Sequence, residues 1–279
     1  MPRAKTPVAS IVILCHNDGE FLRDCIERVY THTDVPFELI LVDNATQDGF
    51  GGYLDKLARR RRNATVIHNK ENRFFAGGNN QGLEIARGRY AMLLNADTLV
   101  GPGWLSRMIA CAQRRPEFGL VGPCTNGATG VQLVPQPGYR TSEEFPSFAR
   151  GWAKRHDGQW EIAHRIIAFC LLIKRDVLKR VGLLDERFGP GGYEDYDYCL
   201  RAQHAGFSAV VARDVFVHHF GGKGYVGMDY SYHRRVNREI LARKWSQFVF
   251  HALDEMDGVS QEIRDEGIQG RAARRLAAR

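Results

Sequence analysis

Two patterns of apolar residues alternate along the first half of the chain. Continuous apolar runs such as 8–15 are typical of buried strands, whereas in runs such as 20–30 the apolar positions recur every three or four residues, as in a helix. We predict strands at 8–15, 37–42, 65–68, 90–94 and 119–122, and helices at 20–30, 53–62, 79–86 and 104–114. This alternation predicts an α/β fold with a mainly parallel central sheet flanked by helices.

The pattern is less regular in the second half. Residues 123–159 are rich in Gly, Pro, Ser and Thr, so we predict a long irregular segment of the kind that forms binding loops. Beyond it we predict strands at 165–173, 208–212 and 215–218, helices at 175–181 and 193–205, and helical character from residue 229 onwards. The domain prediction is a single domain over 1–228, with halves 1–122 and 123–228, and a C-terminal helical extension over 229–279.

Composition and charge exclude several classes of protein. The 279 residues are 44% hydrophobic and 25% charged, and no stretch approaches the ~20 apolar residues that cross a bilayer, so an integral membrane protein is excluded. The apolar run 8–15 is shorter and more strand-like than that of a signal peptide, so we expect a cytoplasmic protein. The six cysteines are far apart, which predicts reduced, buried thiols. A net charge of +7 favours anionic partners, but no recognition motif supports nucleic-acid binding.

Polar residues follow several predicted strands at the point where ligands bind in parallel α/β sheets. Asp43 and Asp97 each end a buried strand, where a carboxylate is costly unless a metal ion, a cation or hydrogen bonds compensate it. Each of these residues could bind a metal ion that holds a diphosphate, or it could lie in an ordinary turn and cap the next helix. Gly77 and Gly78, expected just before the helix 79–86, fit either a phosphate loop or a plain turn.

An acidic cluster follows the glycine-rich loop 188–192. Glu194, Asp195 and Asp197 lie within four residues at the start of a predicted helix. Glu194 and Asp197 share one face of that helix, and Asp195 points elsewhere. The helix dipole favours one or two acidic residues there, but explains all three less readily.

Taken in order, these motifs resemble those of the family 2 glycosyltransferases, which have the GT-A type nucleotide-diphospho-sugar transferase fold. The resemblance covers roughly residues 9–224, and looks closest to the bacterial branch that builds surface polysaccharides, rhamnosyltransferases among them. It rests on the segments SIVILCHN (10–17), LVDNATQDG (41–49), Asn72 with GGNNQG (77–82), LNADT (94–98), GLLDERF (182–188), EDYDYCLR (194–201) and VHHFGG (217–222).

The resemblance implies a nucleotide-sugar site in the half 1–122. Asp43 matches the aspartate that hydrogen-bonds the donor base, and Asp97 matches the last aspartate of the metal motif, with Asn95 in place of the first. His218 or His219 matches a histidine that completes the shell of a Mn²⁺ or Mg²⁺ cofactor. The residues expected on the donor are Cys15, Asn17, Asp43, Asn72, Gly78, Asn79, Asn95 and Ala96.

The resemblance also implies an acceptor and catalytic half at 123–228. Asp195 matches the catalytic base, with Glu194 beside it, and direct attack with one base implies inversion at the anomeric carbon. The candidates on the acceptor side are Gly191, Gly192, Tyr193 and Trp160.

The expected function is therefore transfer of a sugar from a UDP- or dTDP-sugar to a hydroxyl acceptor in glycan or surface polysaccharide synthesis. The sequence does not decide whether the acceptor is a glycan, a lipid-linked compound or a small molecule. It also leaves open a peripheral contact with the inner face of the membrane and the formation of a homodimer. The alternative is an inactive homologue that acts as a binding or partner module. Retention of both Asp97 and Asp195 argues against it, because a binding module needs no base opposite a metal site.

Overall fold

The computed structural model describes residues 6–221 and 230–245. Its strands are β1 (Ala9–Cys15), β2 (Phe37–Asp43), β3 (Ala64–His68), β4 (Tyr90–Asn95), β5 (Thr98–Leu99), β6 (Phe118–Cys124), β7 (Trp160–Ala163), β8 (Cys170–Lys174), β9 (Ser208–Phe216) and β10 (His218–His219). Its α-helices are α1 (Gly19–His32), α2 (Gly51–Arg60), α3 (Phe74–Ile85), α4 (Trp104–Gln113), α5 (Phe145–Arg155), α6 (Arg175–Val181), α7 (Glu194–His204) and α8 (Tyr230–Trp245).

Eight strands form one sheet in the order β3-β2-β1-β4-β8-β6-β9-β7, and β5 pairs with β10 in a small second sheet. The strands β3, β2, β1 and β4 are mutually parallel, as are β6 and β9, whereas β8 is antiparallel to β4 and to β6. The carboxyl ends of β1, β2, β4, β6 and β9 therefore lie along the same edge of the sheet. This edge brings the polar segments that follow those strands together.

Helices cover both faces of the sheet. One buried cluster joins α1, α2 and α4 to the sheet, and a second joins α3, α5, α6 and α7 to its opposite face. The predicted α/β fold, with a mostly parallel sheet flanked by helices, is confirmed. The division into halves at residue 122 stays a prediction. Of the predicted extension 229–279, the structure describes α8, and the remainder lies outside the described residues.

Helix α3 begins at Phe74, five residues before the predicted start, so the expectation of a glycine loop before this helix was wrong. Gly78 and Gly82 lie inside the helix and face β1. A Cβ on Gly78 would stand 2.3 Å from a methyl group of Leu14, and one on Gly82 would stand 2.3 Å from Val12. These glycines allow α3 to approach the sheet closely, and their backbone amides are not presented by a loop.

Three predicted boundaries in the second half were also wrong. Helix α5 lies within the segment predicted to be irregular, and Pro146 occupies its first turn, where the missing N–H costs no hydrogen bond. Strand β8 begins at Cys170, five residues later than predicted. The two strands predicted at 208–212 and 215–218 are mainly one strand, β9, because Arg213 and Asp214 continue it.

All six cysteines are buried, unpaired thiols, as predicted. In the ranges 6–221 and 230–245, no helix combines the length and the apolar character that a membrane span requires.

Candidate functional site

Three of the candidate positions meet at the carboxyl edge of the parallel strands, together with His68. Strand register sets Cys15 opposite Asp43 and Asp43 opposite His68, while Asn95 ends β4 on the other side of β1. His68 was not among the residues predicted from the sequence. The available signal was its position at the end of the predicted strand 65–68, which follows the strand that Asp43 ends.

The carboxylate of Asp43 is held in a fixed orientation. One oxygen accepts a hydrogen bond from the Thr46 amide (2.9 Å), and the other lies 2.8 Å from Nδ1 of His68. Nε2 of His68 lies 3.0 Å from a carboxylate oxygen of Asp55, so both ring nitrogens face acceptors. The hydrogen bond to Asp43 raises the pKa of His68, and Asp55 adds to the effect. His68 is thus suited to act as a cation that orients Asp43.

The other donor candidates shape the loops around this carboxylate. Asn17 has a left-handed backbone (φ 58°), and its side-chain oxygen accepts a hydrogen bond from the Gln47 amide. The thiol of Cys15 is buried and directed at the carbonyl of Val42 (3.4 Å), and burial raises its pKa, so it is an inert thiol. Asn72 accepts a hydrogen bond from Asn44 (2.6 Å) and fixes the entry to α3.

Gly78 and Asn79 are buried in α3, although Gly78 was expected just before the helix that Asn79 begins. The side-chain amide of Asn79 donates to the carbonyl of Phe75 one turn earlier in the same helix (2.9 Å). Ala96 is buried, and Asn95 is half-buried at the end of β4.

Asp97 and His219 form a polar pair at the same edge of the sheet. One carboxylate oxygen of Asp97 accepts a hydrogen bond from the Gly221 amide (3.0 Å), and the other lies 3.3 Å from Nε2 of His219. Nδ1 of His219 donates to the carbonyl of Gly127 (2.9 Å), and the ring stacks on Phe169. Because a carbonyl can only accept, Nδ1 carries a proton and Nε2 is the nitrogen directed at Asp97.

Electrostatics favour charge on both members of this pair. Burial raises the pKa of Asp97, but the charge and hydrogen bond of His219 and the Gly221 amide outweigh it, and the pKa lies below its usual value. Burial lowers the pKa of His219, but Asp97 outweighs that effect, and its pKa lies above the usual value.

His218 points to the opposite side, into an aromatic cluster. Its Nδ1 is hydrogen-bonded to the hydroxyl of Tyr139, and its ring packs edge-on against Phe145 and Phe220. Burial lowers the pKa of His218 to about 4, so the ring is neutral. Of the two histidines that the sequence left open, His219 is the one whose nitrogen faces Asp97.

The three acidic residues at the start of α7 have different environments. Asp197 is fully buried and paired with Arg201 (2.8 Å) and Lys244 (2.7 Å), so it supports the structure rather than sharing a functional face with Glu194. One oxygen of Asp195 accepts a hydrogen bond from the Tyr196 amide (2.7 Å).

Glu194 is buried, and its Oε2 has no hydrogen-bond partner within the part of the chain that the structure describes. Burial, together with the neighbouring charge of Asp195, raises the pKa of Glu194 to about 8. Arg165 partly opposes this shift, and its guanidinium lies 5.9 Å from the ring centre of Tyr196. Together these effects favour the protonated form of Glu194. Arg165 falls in a segment predicted as a strand, and the sequence carried no signal for its role.

The candidates on the acceptor side separate into two places. Gly191 (φ 126°), Gly192 (φ 93°) and Tyr193 (φ 75°) form the left-handed turn that leads into α7. Trp160 lies elsewhere, on edge strand β7, where its ring packs against Phe118 at the start of β6. It contributes to the hydrophobic core, and the structure does not group it with Glu194.

The residues at this edge would fit a divalent cation for which the protein supplies only some of the ligands. Within the described ranges, no group of three or more His, Cys, Asp or Glu side chains is arranged to hold a metal ion. Asp97 and His219 supply one carboxylate and one imidazole nitrogen. Mg²⁺ and related ions at phosphate-transfer sites often have one or two carboxylate ligands and take the others from substrate phosphates and water.

Comparison with known proteins adds independent information. The model of the family described as "Glycosyl transferase family 2" matches residues 10–182. Glycosyltransferase AglE of Haloferax volcanii is 26% identical over an alignment of 219 residues, and the match covers 75% of this chain and 66% of that protein. The O-antigen biosynthesis protein RfbC of Myxococcus xanthus is 25% identical over 240 residues, covering 78% of this chain and 18% of that protein. The chain thus spans less than two thirds of the length of these relatives.

Among solved structures, the chain resembles the mannosyltransferase PcManGT from Pyrobaculum calidifontis in complex with GDP-Man and Mn²⁺. The TM-score is 0.59 at 19% identity, and the match covers 84% of this chain and 61% of that one. This likeness concerns the fold, and it confirms the GT-A architecture that the sequence predicted.

Proposed function

Because the chain belongs to glycosyl transferase family 2, we propose that it is a metal-dependent, inverting glycosyltransferase. It moves a sugar from a UDP- or dTDP-sugar to a hydroxyl group of an acceptor, in the synthesis of a glycan or surface polysaccharide. The name of AglE supports sugar transfer, and the O-antigen biosynthesis in the name of RfbC supports this class of product. The GDP-Man and Mn²⁺ in PcManGT support a nucleotide-sugar donor with a divalent cation. The proposed place of reaction is the cytoplasm, at the inner face of the membrane for a lipid-linked acceptor.

The observation that carries the proposal is the geometry of Asp97 and His219. A buried carboxylate faces the Nε2 of an imidazole whose other nitrogen is fixed by the Gly127 carbonyl. Metal-binding histidines are typically oriented in this way by a hydrogen bond from the second ring nitrogen. Asp97 and the neutral form of His219 would therefore hold Mn²⁺ or Mg²⁺, since a bound ion would displace the proton from Nε2. Such an ion supplies charge neutralisation for the departing nucleoside diphosphate.

Asp43 is suited to select the nucleobase. With His68 and the Thr46 amide fixing its orientation, its remaining lone pairs are available to a ring N–H of uracil or thymine. A purine such as guanine presents a different donor pattern and a larger ring.

The start of α7 supplies the proton acceptor. Burial favours the protonated form of Glu194, and Asp195 next to it takes the proton from the acceptor hydroxyl as general base. Because a single carboxylate activates the acceptor and no second protein group attacks the sugar first, the anomeric configuration inverts.

The test is a thermal-shift panel of UDP, dTDP, GDP and CDP, each with and without Mn²⁺, on the wild type and on Asp97→Asn. We expect UDP or dTDP to raise the melting temperature of the wild type when Mn²⁺ is present, because a ligand that binds the folded state stabilises it. The shift should be absent in Asp97→Asn. If none of the four nucleotides stabilises the wild type, the proposed donor site is wrong.

Asp195→Asn separates binding from catalysis in the same panel. This variant should keep the nucleotide-dependent shift, because Asp195 does not contact the donor in the proposed mechanism. Its rate of nucleoside diphosphate release from the donor should fall by about 10²- to 10⁴-fold, the usual contribution of a general base. An Asp195→Asn variant with wild-type turnover would refute the assignment of the base.

A further inference from the structure

The side-chain amide of Asn237 on α8 holds the glycine-rich loop that precedes α7. Its nitrogen lies 2.6 Å from the carbonyl oxygen of Phe188, 2.9 Å from that of Gly191 and 3.1 Å from that of Gly192. Asn237 is 3% exposed, so these bonds are shielded from water. Three carbonyls share two N–H groups, and because all three can only accept, the amide group must face them with its nitrogen.

The loop backbone adopts a conformation that needs such support. Gly189 (φ 52°), Gly191 (φ 126°), Gly192 (φ 93°) and Tyr193 (φ 75°) all have positive φ. A tyrosine in this region is strained and persists only where its surroundings over-determine the conformation. The turn directs three carbonyl oxygens toward one point, and Asn237 occupies that point.

Helix α8 also contacts residues that come before and after this loop along the chain. Lys244 Nζ lies 2.8 Å from Asp185 and 2.7 Å from Asp197, which belongs to α7. The indole nitrogen of Trp245 donates to the same Asp197 carboxylate (2.8 Å).

The apolar side of α8 completes the attachment. Leu241 is fully buried in a cluster with Phe188 of the glycine-rich loop, Tyr193 directly before α7, and Tyr196 of α7. Helix α8 therefore contacts the segment before Glu194 and Asp195 as well as α7, the helix that these two residues begin.

We propose that Asn237 is a positioning residue that sets the conformation of the glycine-rich loop (188–192) and of Tyr193. Through this segment it sets the placement of Glu194 and Asp195 against the acceptor. The catalytic part of this inference rests on the proposed function. Asn237 touches backbone carbonyls and not substrate. Its loss therefore lowers the catalytic rate and leaves the donor site, which is built on β1, β2 and β4, intact.

The experiment compares Asn237→Asp with the wild type. The aspartate has the same shape, but it replaces the amide donor with an oxygen that repels the three carbonyls. Release of nucleoside diphosphate is measured with UDP-glucose, dTDP-glucose and GDP-mannose as donors and water as acceptor. For the donor that the wild type uses, we expect kcat to fall by about 100-fold, as misplacement of about 1 Å can produce, with the donor KM changed by less than about threefold.

Two further variants control for folding. Arg243→Ala removes an exposed side chain of the same helix that pairs with Glu239, and it should keep the wild-type kcat. Asn237→Gln keeps the amide donor on a longer side chain, and it should recover part of the activity lost in Asn237→Asp. Equal losses in Asn237→Gln and Asn237→Asp, or a wild-type kcat in Asn237→Asp, would overturn the inference.

Hydrogen exchange tests the positioning without any turnover. We expect faster exchange of the amides of residues 189–194 in Asn237→Asp, with unchanged exchange in β4. Unchanged exchange in 189–194 would overturn the inference even if activity fell. If the wild type releases nucleotide from none of the donors, the proposed function fails, and the exchange result still decides whether Asn237 holds the loop.

Discussion

At the residue scale, Glu194 and Asp195 show how two adjacent carboxyl groups acquire different roles. Glu194 is enclosed and has an oxygen without a partner among the described residues, so the protonated form is favoured. The charge of Asp195 adds to this preference. A pair that holds one proton leaves the other carboxylate available to accept a proton from a hydroxyl.

The raised pKa of Glu194 predicts a pH-dependent stability. Below about pH 4.5 the residue is protonated in both the folded and the unfolded state, and its contribution is fully present. As the pH rises towards the folded pKa of about 8, the unfolded state loses its proton first, and the free energy of unfolding falls. Glu194→Gln should remove this part of the slope when urea unfolding is measured from about pH 5 to about pH 9.

The control for this measurement is Glu84→Gln, which changes an exposed glutamate on α3. We expect it to keep the slope of the wild type. Identical slopes in Glu194→Gln and the wild type would show that the carboxyl group of Glu194 is not held in its protonated form.

At the element scale, α3 is defined by close packing against β1. Helix propensity alone would favour alanine over glycine in a helix by roughly 0.5–1 kcal/mol. The contacts of Gly78 reverse this expectation, because an added Cβ would stand 2.3 Å from a methyl group of Leu14, which packs against the core.

We therefore predict that Gly78→Ala lowers the free energy of unfolding by about 1–3 kcal/mol, the usual cost of overpacking a core. The matched control is Gly52→Ala on α2, where nothing lies within 4 Å of the added Cβ. That variant should be at least as stable as the wild type. Urea unfolding of the two variants measures the difference, and a stabilised Gly78→Ala would mean that α3 does not pack as closely as described.

At the scale of the whole molecule, α8 is linked to the rest of the protein through buried charges. Asp197 is fully buried and depends on Arg201, Lys244 and Trp245 for compensation. Removal of one partner of a buried ion pair leaves an uncompensated charge, which is far more costly than the loss of a surface pair.

Lys244→Met should accordingly lower the free energy of unfolding by about 3 kcal/mol. It should also increase hydrogen exchange in α8 before the strands of the sheet are affected. Lys179→Met is the control, because Lys179 is exposed and lies 3.9 Å from Asp176. Its effect should stay below about 1 kcal/mol. Equal effects of the two substitutions would show that Lys244 does not compensate the buried Asp197.

The sequence by itself determined the fold class and the edge of the sheet at which the chemistry lies. Alternation of strand and helix patterns requires parallel strands, and parallel strands bring Asp43, Asn95 and Asp97 to one edge whatever the details of packing. It missed α5 because Pro146 and the surrounding glycines indicate a break, although a proline in the first turn is compatible with a helix.

Only the tertiary structure decided which side chains form hydrogen bonds and ion pairs with each other. His218 and His219 are adjacent in sequence, but β10 directs one to Tyr139 and the other to Asp97. Asn237 lies more than 40 residues from the loop that it holds. Local patterns carry the alternation of buried and exposed positions, whereas side-chain pairing across distant elements depends on how the helices pack on the sheet, and no local pattern encodes that.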